Sequence, residues 1–223
     1  LDVAGQRHSR PAQRLDRVHR RGEAALHVAG AAAPHPAVAD QAAERLDGHH
    51  NRWFLDPIFR GSYPEDVLQD VAGLGFESVQ PGDLEIISSP IDALGVNYYH
   101  GEAVSSKPAE HEITTQAPSA RPKRSPFPAA DSVHWHRRDL PVTAMDWEVQ
   151  PEGLTRLLIR VHEEYTSGAG VSLAVTENGA AYTDVVAADG AIHDADRVTF
   201  LQWHLAAILD AIDAGVPVSG YFY

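Results

Sequence analysis

Glu177 is the residue best placed to do chemistry in this chain. In the stretch GVSLAVTENGAAY, Gly170 to Tyr182, it ends a run of small and apolar residues and is followed at once by Asn178 and Gly179. A glutamate fixed at a strand end can attack carbon or move a proton, but the same position also suits a solvated or ion-paired carboxylate. A second polar ending closes IDALGVNYYH, where Asn97, Tyr98 and Tyr99 follow an apolar run. An amide and a phenol placed there orient an anion or a ligand, or else satisfy buried backbone groups. His134 and His136 flank Trp135, and on an extended segment both imidazoles fall on one side. With no third ligand identifiable nearby, a solvated loop is the preferred reading and no metal is expected. Trp53, Trp147, Phe200 and Trp203 read as core aromatics rather than as a ligand platform.

The elements that must carry these groups are legible from periodicity. VADQAAERLDGHHNRWFLDPIF brings Leu46, Trp53, Phe54 and Ile58 at mixed helical spacing, with Pro57 near the end, and reads as a helix followed by a turn. YPEDVLQDVAG places Pro64 at a first helical position with Glu65 and Asp66 behind it, where carboxylates suit the positive helix end. The apolar run before Asn97 suits a buried strand. Residues 102–150 are proline-rich with little period, and read as a functional loop or a poorly ordered one. PEGLTRLLIRVHEEYTSGAG sets Leu154, Leu157, Leu158, Val161 and Tyr165 on one helical face, opens on Pro151 and stops at glycines. VSLAVT is a short strand. HDADRVTFLQWHLAAILDAIDAG is a helix whose expected apolar stripe is Val198, Leu201, Leu205, Ile208, Leu209 and Ile212, with Asp194 capping its start and Gly215 its end. VPVSGYFY is a last strand. Strand, helix, strand, helix, strand is the order that builds a parallel sheet with right-handed crossovers. Both polar endings then fall on the carboxyl edge of the sheet, where such folds place their chemistry.

Composition narrows the classes. The 223 residues are 43% apolar and 22% charged, ordinary globular usage, with a formal charge of −13 that repels nucleic acid and anionic membrane surfaces. There is no cysteine, hence no disulfide or thiolate metal site, which agrees with a cytoplasmic location. No run is long enough to span a bilayer, and no Gly-rich phosphate loop occurs. The first 45 residues are different in kind: they carry seven arginines, no lysine and five acidic residues, with little sustained period. Residues 1–37 read as a flexible tail or a basic arm, and best as an off-frame product of GC-rich coding sequence, since the chain opens on Leu1 rather than Met. Residues 38–223 form the expected domain.

Four ordered blocks, DGHHNRWFLDPIFRGSYPEDV, LGVNYYH, MDWEVQPEGL and VTENGAAY, resemble the later part of the family 1 glycoside hydrolases, the bacterial β-glucosidases. The resemblance implies an α/β fold, a partial TIM (β/α)8 barrel comprising roughly strands six to eight with their flanking helices. It implies that Glu177 is the nucleophile of a retaining hydrolysis of terminal β-D-glucosyl residues, with Tyr99 and Asn97 directed at it. Asn97 and Asn178 would contact the sugar. The substrate would be a small β-glucoside or oligosaccharide, with no cofactor, no nucleic acid and no membrane partner.

Three departures accompany the likeness. The family's acid/base glutamate lies in an Asn-Glu-Pro motif that these 223 residues do not contain. The early Gln, His and Asn residues that hold sugar hydroxyls in the family have no counterpart in residues 1–37, and the family's Trp/Glu stretch beyond the last strand does not follow GYFY. Asp146 stands where the family more often has Gly. The expected consequence is a truncated chain, β-glucosidase by descent and inactive as written. The alternatives are a sugar-binding or structural remnant, and a half that pairs with a separate amino-terminal polypeptide carrying Asn-Glu-Pro.

Overall fold

Two short apolar runs, Leu94 to Val96 and Leu173 to Val175, fix the centre of the molecule. The structure is a computed structural model and describes residues 24–27, 30–31, 41–75, 79–107 and 127–223. Its main sheet holds β1 (Ala24–His27), β3 (Ala93–Asn97), β6 (Ser172–Glu177) and β7 (Val218–Tyr221), in that spatial order and all parallel. Leu94, Val96, Leu173 and Val175 are fully buried, as expected of parallel strands covered by crossover helices. The described strands form an open sheet and do not close a barrel.

The expectation for residues 1–37 falls largely outside the described residues. Within that stretch, β1 pairs with β3 from Ala24 opposite Leu94 to His27 opposite Asn97, and β2 (Gly30–Ala31) pairs with β4 (Gly101–Ser105). The proline-rich loop is also part structured. Its described ends form β4 and β5 (His134–His136), an antiparallel pair in a small second sheet ordered β2-β4-β5, while 108–126 lie outside the described residues. Neither strand carries a clean apolar alternation, which is why period alone reads this stretch as loop.

The crossovers are α5 (Pro151–Val161), which runs on through a π-helical turn His162–Thr166, and α6 (Ala195–Asp213). In α5 the stripe is as expected: Leu154, Leu157, Leu158, Val161 and Tyr165 are all buried against β3 and β6. Burying each leucine contributes about 1.5–3 kcal/mol. In α6 only Ile208 of the expected stripe is buried. Phe200, His204, Ala207, Ile208 and Ala211 face inward, whereas Val198, Leu205, Leu209 and Ile212 are exposed. Close approach decides this. Thr155 Oγ1 of α5 donates to the Ala207 carbonyl at 2.8 Å, and small side chains at 207 and 211 are what allow it. Asp194 holds the N-cap position of α6, as expected, but its side chain makes no capping hydrogen bond. It takes a left-handed backbone (φ 48°) and its carboxylate instead accepts from Arg197. Gly215 does end the turn after α6, at φ 98°.

Before the sheet, α1 (Gln41–Asp47), a π-helical turn Gly48–Arg52 and α2 (Trp53–Arg60) run on from one another. Pro57 lies inside α2, which Gly61 terminates in a left-handed conformation. Asp47 joins this unit to α5, accepting from Arg160 Nη1 and Nη2 at 2.6 and 2.8 Å. The carboxylate also raises the Arg160 pKa, burial opposing it. Helix α3 (Glu65–Val71) starts one residue after Pro64, which occupies its N-cap, and α4 (Asp83–Ile87) leads into β3.

Candidate active site

The site is built where β3 and β6 end side by side. Asn97 stands opposite Glu177 in the ladder, across a register shift between Val96 and Asn97, and the Tyr98 amide donates to the Glu177 carbonyl at 2.9 Å. Beyond Asn97 successive side chains alternate in direction, so the two tyrosines part. Tyr98 goes into the core, fully buried, and donates to the Gln150 carbonyl at 2.7 Å; burial pushes its phenol far above the ordinary tyrosine range. Tyr99 goes to the open edge, where its hydroxyl donates to Glu177 Oε2 at 2.9 Å. Burial, and then the bond to Glu177, raise the Tyr99 pKa. The Glu177 side chain is exposed.

The two asparagines are enclosed beneath this pair. Asn97 Oδ1 accepts from Thr176 Oγ1 at 2.6 Å. Asn178 Nδ2 donates to the Tyr98 carbonyl at 2.6 Å while its Oδ1 accepts from Tyr221 at 2.9 Å. One buried amide thus ties the ends of β3, β6 and β7 together. The Tyr221 phenol is pushed up to about 12, chiefly by burial. Gly153 is required here: a Cβ on it would lie 2.1 Å from the Tyr98 hydroxyl.

Periodicity misassigned one neighbour. Trp147, read as core, sits half-buried at the site, its ring centroid 5.8 Å from that of Tyr99 and 4.8 Å from that of His100. The Ala144 amide, in the same turn, donates to the Ala181 carbonyl at 2.8 Å and so lays this turn beside the loop after Glu177. The signal that could have found Trp147 is its place in MDWEVQPEGL, immediately before a helix that packs on β3 and β6. Asp146 holds the left-handed backbone (φ 63°) that favours glycine, and Arg137 donates to its carboxylate. Of the other aromatics, Phe200 is core, stacked on His204 at 3.9 Å, and Trp203 is exposed. Trp53 packs on Tyr63 at 4.7 Å.

His134 and His136 lie in β5. His136 Nε2 pairs with Ser105 Oγ at 2.7 Å, and Trp135 Nε1 donates to Glu102 at 2.7 Å. Among the described residues no three side chains form a metal-binding group. No described helix is long and apolar enough to cross a membrane. A cleft lined by Gly61, Gln80, Pro81, Leu84, Glu85 and Ser88 lies beside α4 and shares no residue with the Glu177 site.

A carboxylate at a parallel sheet's carboxyl edge, hydrogen-bonded by a phenol that itself packs on an indole, can present one oxygen to an electrophilic carbon. Comparison with known proteins bears on which carbon. Residues 8–223 match the profile of glycosyl hydrolase family 1. The chain is 40% identical over 190 residues to a bifunctional β-D-glucosidase/β-D-fucosidase of Bifidobacterium breve, covering 81% of this chain and 38% of the relative. It is 40% identical over 169 residues to β-glucosidase A of Thermotoga maritima, covering 76% of this chain and 33% of the relative. Among solved structures, the psychrophilic β-glucosidase BglU from Micrococcus antarcticus superposes with a TM-score of 0.81 at 46% identity, covering 90% of this chain and 43% of that one. The family 1 β-glucosidase from Thermotoga maritima in complex with isofagomine lactam superposes with a TM-score of 0.65 at 34% identity, over 90% and 39% of the two chains. The chain therefore spans roughly two fifths or less of the length of these relatives.

Proposed function

The chain belongs to glycosyl hydrolase family 1, and on that premise we propose that Glu177 is the nucleophile of a retaining β-glucosidase-type reaction. The substrate is a small β-glucoside or oligosaccharide. One Glu177 oxygen attacks the anomeric carbon as the bond to the leaving oxygen breaks, and water then releases glucose from the glycosyl ester. The reaction needs a second carboxyl group about 5–5.5 Å away to protonate the leaving oxygen. The observation that carries the reading is the Tyr99 hydrogen bond to Glu177 Oε2 at the carboxyl edge. A phenol donating to the carboxylate fixes the direction of its oxygens. Asn97 and Asn178 support the sugar-facing end of the strands, and Trp147 offers a flat apolar wall to the sugar or its leaving group.

Taken alone, the 223 residues are inactive on ordinary glucosides. They hold no Asn-Glu-Pro acid, and general acid catalysis contributes roughly 10²–10⁴-fold before lost positioning is counted. A cytoplasmic location is part of the same proposal. The experiment compares two substrates. An alkyl β-glucoside should not be turned over, whereas a dinitrophenyl β-glucoside, whose leaving group needs no proton, should be cleaved in a manner abolished by Glu177→Gln. Turnover of the alkyl glucoside contradicts the inactivity. Failure of Glu177→Gln to abolish dinitrophenyl release contradicts the role of Glu177.

A further inference from the structure

The residues on either side of Trp147 are each held by an arginine, and the two arginines are consecutive. Arg137 donates to the Asp146 carboxylate. Arg138 holds Glu148 twice, from its backbone amide to Oε1 at 2.6 Å and from Nε to Oε2 at 2.7 Å. The rest of the Arg138 guanidinium turns the other way. Nη1 donates to Gln150 Oε1 at 2.5 Å, and Nη2 donates to the Gly101 carbonyl at 2.6 Å. Gly101 is two residues beyond Tyr99, and Gln150 is three beyond Trp147 and accepts the Tyr98 hydroxyl. A single side chain therefore spans the segment that carries Tyr99 and the segment that carries Trp147.

The chemistry of the contacts argues for arginine in particular. Three acceptors in different directions match a planar fork, whereas an ammonium is a single point charge on a flexible stem. The partner carboxylate of Glu148 is enclosed, with a tenth of its side chain exposed, so the bond is shielded from water. None of the Arg138 hydrogen bonds described goes to Tyr99 or Glu177, so it acts only through Gly101, Glu148 and Gln150.

We propose that Arg138 is a positioning residue, which by bridging Gly101, Gln150 and Glu148 sets the Trp147 turn against Tyr99 and thereby aims Tyr99 at Glu177. Its importance for catalysis rests on Glu177 being the nucleophile; the positioning itself does not.

The test follows the Tyr99 phenol by NMR in the full chain carrying isotope-labelled tyrosine, with Tyr99→Phe identifying the signal. Burial and the Glu177 bond hold that phenol above the ordinary tyrosine range. In Arg138→Met it should titrate lower, as the turn withdraws and water reaches the ring, while far-UV circular dichroism is unchanged. Arg138→Lys keeps the charge without the fork, should move the titration in the same direction by less, and decides the matter if the Met variant does not fold. A Tyr99 titration identical to the parent's in folded Arg138→Lys overturns the proposal. Glu177→Gln separates the two readings. If it lowers the Tyr99 titration and the Arg138 variants do not, the positioning role alone fails. If the Arg138 variants shift Tyr99 and Glu177→Gln does not, Arg138 still positions Tyr99 and the nucleophile reading loses its main support.

Discussion

The hydroxyl of Tyr99 donates to Glu177 Oε2 at 2.9 Å, joining residues 78 apart in sequence across two neighbouring parallel strands. The pair exists because β3 and β6 end together and because Tyr98, one residue earlier, is locked into the core. Removing the phenolic donor leaves the carboxylate with one less bond to its charged form. Such bonds contribute about 1.5–3 kcal/mol. Tyr99→Phe should slow covalent labelling of Glu177 by an activated glucoside about 10- to 100-fold, a loss of 1.4 kcal/mol corresponding to about tenfold. Stopped-flow or quench kinetics checks this, and an unchanged rate would remove the phenol from the chemistry.

Gly153 tests how tightly the same strand end is held. Its missing Cβ leaves the room that the Tyr98 hydroxyl occupies on its way to the Gln150 carbonyl. Gly153→Ala should destabilise the chain by about 1–3 kcal/mol, the usual cost of overpacking. Urea unfolding should show the midpoint falling at constant m-value.

Asp47 and Arg160 form one long-range tie between the first helical unit and α5. Losing Arg160 takes two charge-assisted bonds from a mostly enclosed carboxylate, which keeps Asn51 Nδ2 at 2.7 Å and Arg52 Nε at 3.3 Å. Arg160→Met should cost about 1–3 kcal/mol, below the figure for a buried charge left with no partner. Replacing both, as Asp47→Leu with Arg160→Met, should recover part of that loss in a double-mutant cycle.

His204 sets a pH dependence. It is fully buried, its Nδ1 pairs with the Phe200 carbonyl at 2.8 Å, and burial lowers its pKa. The unfolded chain takes up a proton near pH 6.5 that the folded chain resists, so the unfolded state gains as pH falls. Stability should therefore decline below about pH 6.5 until the lowered folded pKa is reached, and be insensitive to this group above it. His204→Phe should flatten the difference between denaturation midpoints at neutral and mildly acid pH; an equal slope in both proteins would remove His204 as the cause.

Much of the sheet and its crossovers was legible because the signals were local. The stripe of α5, the strands around Leu94 and Leu173, and the polar residues ending them all follow from period and from chain order. Helix α6 was misread because counting large aliphatic residues favours Val198, Leu205 and Leu209, whereas the inward face is chosen by close contact at Ala207 and Ala211, which no period records. The strands β4 and β5 escaped for a related reason. Their pairing, with Val104 opposite Trp135, joins residues a long loop apart, and neither strand alternates cleanly. The site followed the same division. The types Glu177, Tyr99 and Asn97 were evident from two strand ends, but the arrival of Trp147 beside Tyr99 depends on turns and arginine contacts between distant segments. Asp146 illustrates the limit of reading by analogy: an aspartate here adopts the left-handed backbone that favours glycine.

The measurement that bears most directly on Glu177 is covalent trapping with an activated 2-deoxy-2-fluoro β-glucoside, followed by intact-mass and peptide mapping. The reagent forms a glycosyl ester with the nucleophile and its leaving group departs without a proton donor, so the missing Asn-Glu-Pro acid does not prevent labelling. The expected result is one glycosyl adduct per chain, mapped to Glu177 and absent from Glu177→Gln. An adduct on another carboxylate, or none in a chain that circular dichroism shows to be folded, would contradict the assignment of Glu177 as the nucleophile.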